Sequence, residues 1–305
     1  MSRMQKSTKW FLAILAFILL FVVGFVLLVV GVVTSSIPAE TEIVTHGSGE
    51  KIAVVDVYGA IVSSTEINRQ LKEYAEDESI KAVLIHIDSP GGSVVASQEI
   101  YEQVRSIRED GKPVIVSMGS LAASGGYYVA CGATRIVANR GTLTGSIGVI
   151  AEFLQLREAL DKLGVDVKVI KSGKLKDSGS PVRDMTGEDE QYFQSLMDEV
   201  HRQFASVVGQ ERGMEMERVM ELADGRVFTG EDALSKGLVD TIGTFSDAVT
   251  IAAGLAGIDG DPAIVRERRR RVWWENFAGE ALMEVVEWKD EILNRPVLSY
   301  RFVGP

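Results

Sequence analysis

The period of apolar and polar positions changes repeatedly along the chain, and each change marks an element. From Lys51, "KIAVVDVYG" is an apolar run of strand length and "TEINRQLKEYAED" an amphipathic helix. "KAVLIHID" is a second apolar strand, closed by the turn "SPGG". "SVVASQEIYEQVRSIRED" returns to the helical pattern, and "GKPVIVSMG" is again a strand. Buried strands alternating with helices predict a largely parallel sheet of βαβ units. Beyond residue 133, "TRIVAN" and "SIGVI" read as short strands, "EFLQLREALDKLG" as a helix and "VDVKVIKSG" as a strand, followed by the polar loop "KLKDSGSPVRDM". Thr186, with Asp189 three residues on, signals the capped start of a helix lasting several turns. "DGRVFTGEDALSKGLVDTIG" reads as strand, short helix, strand, and no repeat of solenoid length is visible.

The two ends break this rhythm. Residues 10–33, "WFLAILAFILLFVVGFVLLVVGVV", carry no charge, and about 20 apolar residues suffice for a helix to cross a bilayer core. Arg3, Lys6 and Lys9 precede the run, whereas Glu40 and Glu42 follow it. The positive-inside tendency then keeps residues 1–9 in the cytoplasm and puts the rest outside. A cleaved signal peptide fits less well, because its apolar region is only about 7–15 residues long. Residues 34–50 read as a polar linker, 51–258 as the main folded domain and 259–305 as a C-terminal helix and tail. In that last region "VRERRRR" (265–271) reads as a solvated face or linker, or as a patch for anionic lipid headgroups. "VWWENFAGEALMEVVEWKDEIL" has the pattern of an amphipathic helix, and "NRPVLSYRFVGP" is extended and apolar. Such a tail suits packing in a groove of its own chain or a neighbour's, or equally between protomers.

Composition narrows the chemistry. The chain has 305 residues, 46% of them hydrophobic, and a net charge of −11, which argues against nucleic acid as a partner. Cys131 is the lone cysteine, so no internal disulfide forms. Nothing has zinc-ligand spacing, and no metal or cofactor is expected. Two strand-to-helix turns are glycine-rich, "DSPGGS" (88–93) and "AASGG" (122–126). Neither is a phosphate loop or a dinucleotide fingerprint. Each instead offers free backbone N–H groups at a strand's C-terminal end, an arrangement suited to a developing oxyanion. Ser124 lies in the second turn with only small residues around it. A serine nucleophile needs a base. His46 is in the linker, His86 inside an apolar strand as a core residue, and His201 on a helix, so a Ser-His-Asp triad is disfavoured. A lysine serves if desolvation keeps it neutral; spacing alone leaves Lys171, Lys174 and Lys176 open.

From about Lys51 to Gly243 the chain resembles the bacterial signal peptide peptidases of the protease IV group, in their short single-domain form. The resemblance rests on "DSPGGSV", "VSMGSLAASGGYYVA", "TLTGSIGVI", "IKSGKLKDSGSP" and "DGRVFTGEDALSKGLVD", in that order. It implies the α/β fold shared by the Clp protease subunit and crotonase, and a serine peptidase with a Ser-Lys dyad. It assigns Ser124 as nucleophile, Lys176 as general base and the N–H groups of Gly92 and Gly125 as oxyanion donors. It also implies hydrophobic peptide substrates such as released signal peptides, and a ring-like homo-oligomer in which neighbours share in building each site. Asp88 stands where asparagine is common. Tyr127 and Tyr128 are expected on the helix after Ser124, packed against the sheet. The rival readings are a peptidase of membrane-protein segments, a crotonase-like acyl-CoA enzyme, and a silent scaffold.

Overall fold

The computed structural model describes residues 41–269 and 299–302, together with scattered helical positions between Trp10 and Gly24. The remainder of the expected span 10–33 and the expected helix at 272–293 lie outside the described residues. No helix among the described residues is long and apolar enough to cross a membrane. The chain divides into two units, Met1–Glu42 with Arg268–Ala278, and Ile43–Glu267 with Gly279–Pro305; the second carries the catalytic fold.

The central strands are the parallel trio the sequence predicts. β2 (Lys51–Tyr58), β3 (Ile80–Ser89) and β5 (Val114–Ala123) pair in parallel, with Val54 opposite Leu84 and Leu84 opposite Ile115. All three are apolar almost throughout because both faces are covered. Helices α1 (Thr65–Glu76) and α2 (Val94–Glu109) make the crossovers between them. Beyond β5 the chain forms α3 (Gly125–Cys131), β6 (Arg135–Ala138) and β7 (Leu143–Gly145). The first half of β5 pairs with β6 and its second half with β7, so the strand changes partner at Gly119–Ser120. After α4 (Arg157–Lys162), the long α5 (Gly187–Arg212) starts at the expected Thr186–Asp189 capping box. Then come α6 (Met216–Leu222), β8 (Val227–Thr229), α7 (Gly230–Ser235), β9 (Thr241–Ile242) and α8 (Phe245–Ala256).

Several expectations are corrected. The linker contains a strand, β1 (Thr41–His46), and the arginine run is largely β10 (Ala263–Arg269). β10 lies parallel to β2 and continues the sheet past residue 258; the strand order is β1-β10-β2-β3-β5-β6-β9. Its charges are used in the fold, since Arg266 pairs with Asp56 and Glu267 reaches Arg69 at 2.7 Å. Residues 146–149 form no strand, Ile150 making only an isolated bridge, and 165–173 form none either. The tail supplies β11 (Ser299–Arg301), antiparallel to the short β4 (Gly91–Ser93).

The sheet has two packed faces. On one, α2, α3 and α5 meet the strands through Ile100, Tyr127, Phe204 and Val208, all fully buried. On the other, α8 lies over Ile52, Leu84 and Ile115 through Ala248 and Ala252. Alanines let that helix approach the sheet closely, so little slack remains to absorb a deletion. Truncating Leu84→Ala should lower stability by about 2–5 kcal/mol, read as a shift of the denaturant midpoint without loss of secondary structure in the native baseline.

Candidate active site

β3 and β5 are neighbours, so the turns at their C-terminal ends are neighbours too. The first turn is tied down by Ile61, whose N–H donates to the Gly91 carbonyl at 2.9 Å and whose carbonyl accepts from the Ser93 N–H at 2.7 Å. A Cβ on Gly92 would sit 2.2 Å from the Ile61 carbonyl oxygen, which makes glycine obligatory there. In the second turn, a Cβ on Gly125 would meet Ser97 Oγ at 2.5 Å and the Gly92 nitrogen at 3.1 Å. The backbones of the two expected oxyanion donors therefore lie against each other. The Gly125 N–H heads the first turn of α3, where backbone donors have no intrahelical acceptor.

Ser124 sits between β5 and α3 with φ 54° and ψ −113°, a conformation L-residues rarely adopt. Strain of this kind costs about 1–3 kcal/mol and is held only where the surroundings over-determine it. Here its N–H donates to the Gly145 carbonyl at 2.7 Å, while the Tyr128 N–H binds its carbonyl at 2.8 Å. The residue is buried, and among the described residues its Oγ has no hydrogen-bond partner. A sharp strand-to-helix turn presenting a free serine hydroxyl is the geometry of a nucleophile elbow. The next residue after Gly145, Ser146, is a second non-glycine with positive φ (51°), held by its N–H to the Arg226 carbonyl at 2.8 Å. Sequence reasoning missed Ser146, because a serine after a glycine carries no mark of its backbone angle.

No histidine reaches the nucleophile. His86 lies edge-on between Tyr58 and Phe245, at 5.6 and 5.4 Å. Its Nδ1 has no partner among the described residues, contrary to the expected satisfied core histidine. His201 is on α5 and His46 on β1. The lysine loop divides its cations. Lys171 pairs with Asp177 at 2.5 Å and Lys174 with Glu188 at 2.5 Å, whereas Lys176 is exposed and has no carboxylate partner among the described residues. Within one protomer the expected base thus makes no hydrogen bond to Ser124. The loop itself is anchored. Asp189, nearly buried, accepts from Arg183 at 2.6 Å, from Ser178 at 2.5 Å and from the Thr186 N–H at 3.0 Å. These donors, Arg183 foremost, hold its carboxyl far below the usual carboxylate range.

Both ends of the site also carry a peptide. Phe302 N–H donates to the Pro90 carbonyl at 2.7 Å, Tyr300 lies opposite Gly92, and Ser299 exchanges two 3.1 Å hydrogen bonds with Ile150. The tail is therefore an extended strand laid between β4 and Ile150.

Comparison with known proteins places the chain in a family. The model of peptidase family S49 matches residues 106–259, and that of Clp protease matches residues 51–149. A provisionally named protease of Synechocystis is 48% identical over 70% of this chain and 76% of its own length. A provisionally named signal peptide peptidase of Enterococcus faecium is 38% identical over 66% of this chain. Protease 4 of Haemophilus influenzae is 35% identical over 70% of it. The chain spans 62% of the Enterococcus protein and 36% of the Haemophilus one.

The packing of the two turns sets an expectation for Gly125→Ala. The added methyl displaces Ser97 or the Gly92 amide from the site, so peptide hydrolysis should fall by about 10²–10³ in kcat. Circular dichroism should remain that of a folded chain, with stability lowered by about 1–3 kcal/mol from the overpacking; retained hydrolysis would show that these amides are not the oxyanion donors.

Proposed function

The chain belongs to peptidase family S49 and is a serine peptidase; on that premise we propose that it is a membrane-anchored endopeptidase with a Ser124–Lys176 dyad, acting on hydrophobic peptides such as released signal peptides. The observation that carries the reading is Ser124 itself, strained into a strand-to-helix turn with a hydroxyl that has no partner among the described residues, beside two glycine amides. Ser124 Oγ attacks the scissile carbonyl as its proton passes to neutral Lys176 Nζ. The N–H groups of Gly92 and Gly125 take the charge that develops on the oxygen. The lysine returns the proton to the departing amine, leaving an ester on Ser124. Water, deprotonated by the same lysine, then releases the acid.

We place the lysine of each site on a neighbouring copy. Lys176 is exposed and has no carboxylate partner among the described residues, and the stretch before it exposes Leu163, Val165, Val167, Val169 and Ile170. The alternation of the three valines is that of a strand with one apolar face, yet it pairs with no strand among the described residues. A second copy of this chain is the occupant we assign to that face. Its burial there would deliver the lysine loop, already stiffened by Asp189 and Arg183, to the neighbour's serine. Assembly, rather than the protomer fold, then switches activity on. The substrate class is supported by the printed name of the Enterococcus relative. The anchor is assigned to residues 10–33 on their lack of charge, with the catalytic unit on the extracytoplasmic side.

Lys176→Arg keeps the charge but cannot give up its proton, so it should be as inactive as Lys176→Ala on a fluorogenic peptide at equal assembly. Lys171→Ala and Lys174→Ala should lose activity modestly; full activity in Lys176→Arg would remove Lys176 as base. In spheroplasts, added protease should digest the chain beyond residue 34, and protection of that region would reverse the orientation.

A further inference from the structure

β5 reaches the nucleophile out of step with β3. Met118 faces Ile87, but Ala122 faces Ser89, so β5 advances four residues where β3 advances two. A bulge of this kind re-aims the residues that follow it. Carried forward, the shifted register sets Ser124 level with Gly91 and Gly125 level with Gly92; the earlier register would have put Ala122 and Ala123 there. The packing of the turns agrees with the shifted register. A Cβ on Gly125 would lie 3.1 Å from both the Gly91 Cα and the Gly92 nitrogen. The extra length of β5 therefore decides which side chain meets the two glycine amides.

Extra strand leaves backbone groups without a ladder partner, and buried ones must be paired from elsewhere. On the β3 side, the Leu121 N–H donates to Asp88 Oδ1 at 3.1 Å. Asp88 fits there because residue 119 is glycine: a Cβ on Gly119 would stand 3.0 Å from the Asp88 Cγ and Oδ2. On the other side, Thr142 Oγ1 donates to the Gly119 carbonyl and Thr144 Oγ1 to the Ala122 carbonyl, both at 2.7 Å. The Asp88 backbone is itself fixed, since its carbonyl accepts from the Gly59 N–H at 3.0 Å. By strand alternation its side chain shares the α8 face of the sheet with Leu84 and with His86, which touches Phe245. Helix α3, with Gly125 in its first turn, packs on the opposite face.

We propose that Asp88 is a positioning residue for Ser124: its carboxylate oxygen holds the β5 bulge, and with it the register that brings the nucleophile to the amides of Gly92 and Gly125. The inference rests on the reading of Ser124 as nucleophile and adds to it the group that sets its place. Asp88 acts by accepting one hydrogen bond, so an asparagine carbonyl can replace it and a methyl group cannot. Without an acceptor the Leu121 N–H is orphaned, and β5 relaxes toward the shorter register, which moves Ser124 along the strand. A displacement of about 1 Å at the reacting atoms is enough to cost about 10²-fold in rate. Because Asp88 stands on the face away from α3, its loss falls on the chemical step and leaves peptide binding largely intact.

The test uses the full-length protein in detergent. It reads the rate at which a fluorophosphonate labels Ser124, kcat and KM on one fluorogenic peptide, and the thermal midpoint. Asp88→Ala should lower the labelling rate and kcat by about 10–100-fold, with KM within about threefold of wild type. Asp88→Asn should recover most of that loss. Leu84→Ala, which weakens the core without touching the bulge, should lower the midpoint and leave the labelling rate at lower temperature unchanged. If Asp88→Ala does not fold, Thr142→Val removes the bond to Gly119 from the other edge of the bulge and should slow labelling at least about threefold. The proposal is overturned by Asp88→Ala labelling at the wild-type rate, by Asp88→Asn as slow as Asp88→Ala, by Leu84→Ala slowing labelling equally, or by Thr142→Val labelling as wild type does. Absence of any labelling in wild type would instead overturn the serine-peptidase reading on which it rests.

Discussion

Everything at the catalytic centre depends on how closely two turns can approach when their strands are adjacent and parallel. β3 and β5 deliver the turns side by side, and only backbone with no side chain fits between them. Gly91, Gly92 and Gly125 each have a neighbour within 2.0–2.5 Å of where a Cβ would stand. Removing side chains brings amide donors from two segments to one point, where they serve a developing charge better than a flexible side chain could. The rest of the unit protects that contact: Ile61 ties the first turn from outside, and Gly145 holds the second through the Ser124 amide.

Ser124 Oγ and Lys176 make no hydrogen bond within the protomer, so the dyad we propose needs a second copy. The proposed oxyanion donors and nucleophile come from the rigid sheet, whereas the proposed lysine comes from a loop whose other two lysines are engaged with carboxylates. Asp189 reconciles the two demands on that loop. It caps α5 and receives Arg183 and Ser178, so the segment around Lys176 is braced from below while the lysine stays exposed. A braced, exposed cation beside an unpaired apolar face is suited to meeting another surface.

Much of this was legible in the sequence because the responsible features are local. The parallel core strands announced themselves as unbroken apolar runs, the Thr186–Asp189 box as a spacing, and the two turns as glycine clusters. What stayed hidden depends on partners distant in sequence. β10 reads as a charged segment until Asp56 and Arg69 are seen to receive Arg266 and Glu267. Residues 165–173 have a strand's alternation, but a strand needs a neighbour, and none of the described residues supplies one. Tyr127 and Tyr128 were expected against the sheet. Tyr127 is buried there and bonds the Leu238 carbonyl, while Tyr128 turns to the tail. Ring contacts of that kind follow from where the tail returns, which no local pattern encodes.

The backbone of Ser124 has a consequence for the history of such a chain. Its φ of 54° suits glycine better than serine, so a glycine at 124 would relax the turn while abolishing the chemistry. Random change at this site is therefore not neutral: selection for stability alone would favour the inactive residue. A lineage that ceased to need peptide hydrolysis would be drawn toward a more stable, silent fold.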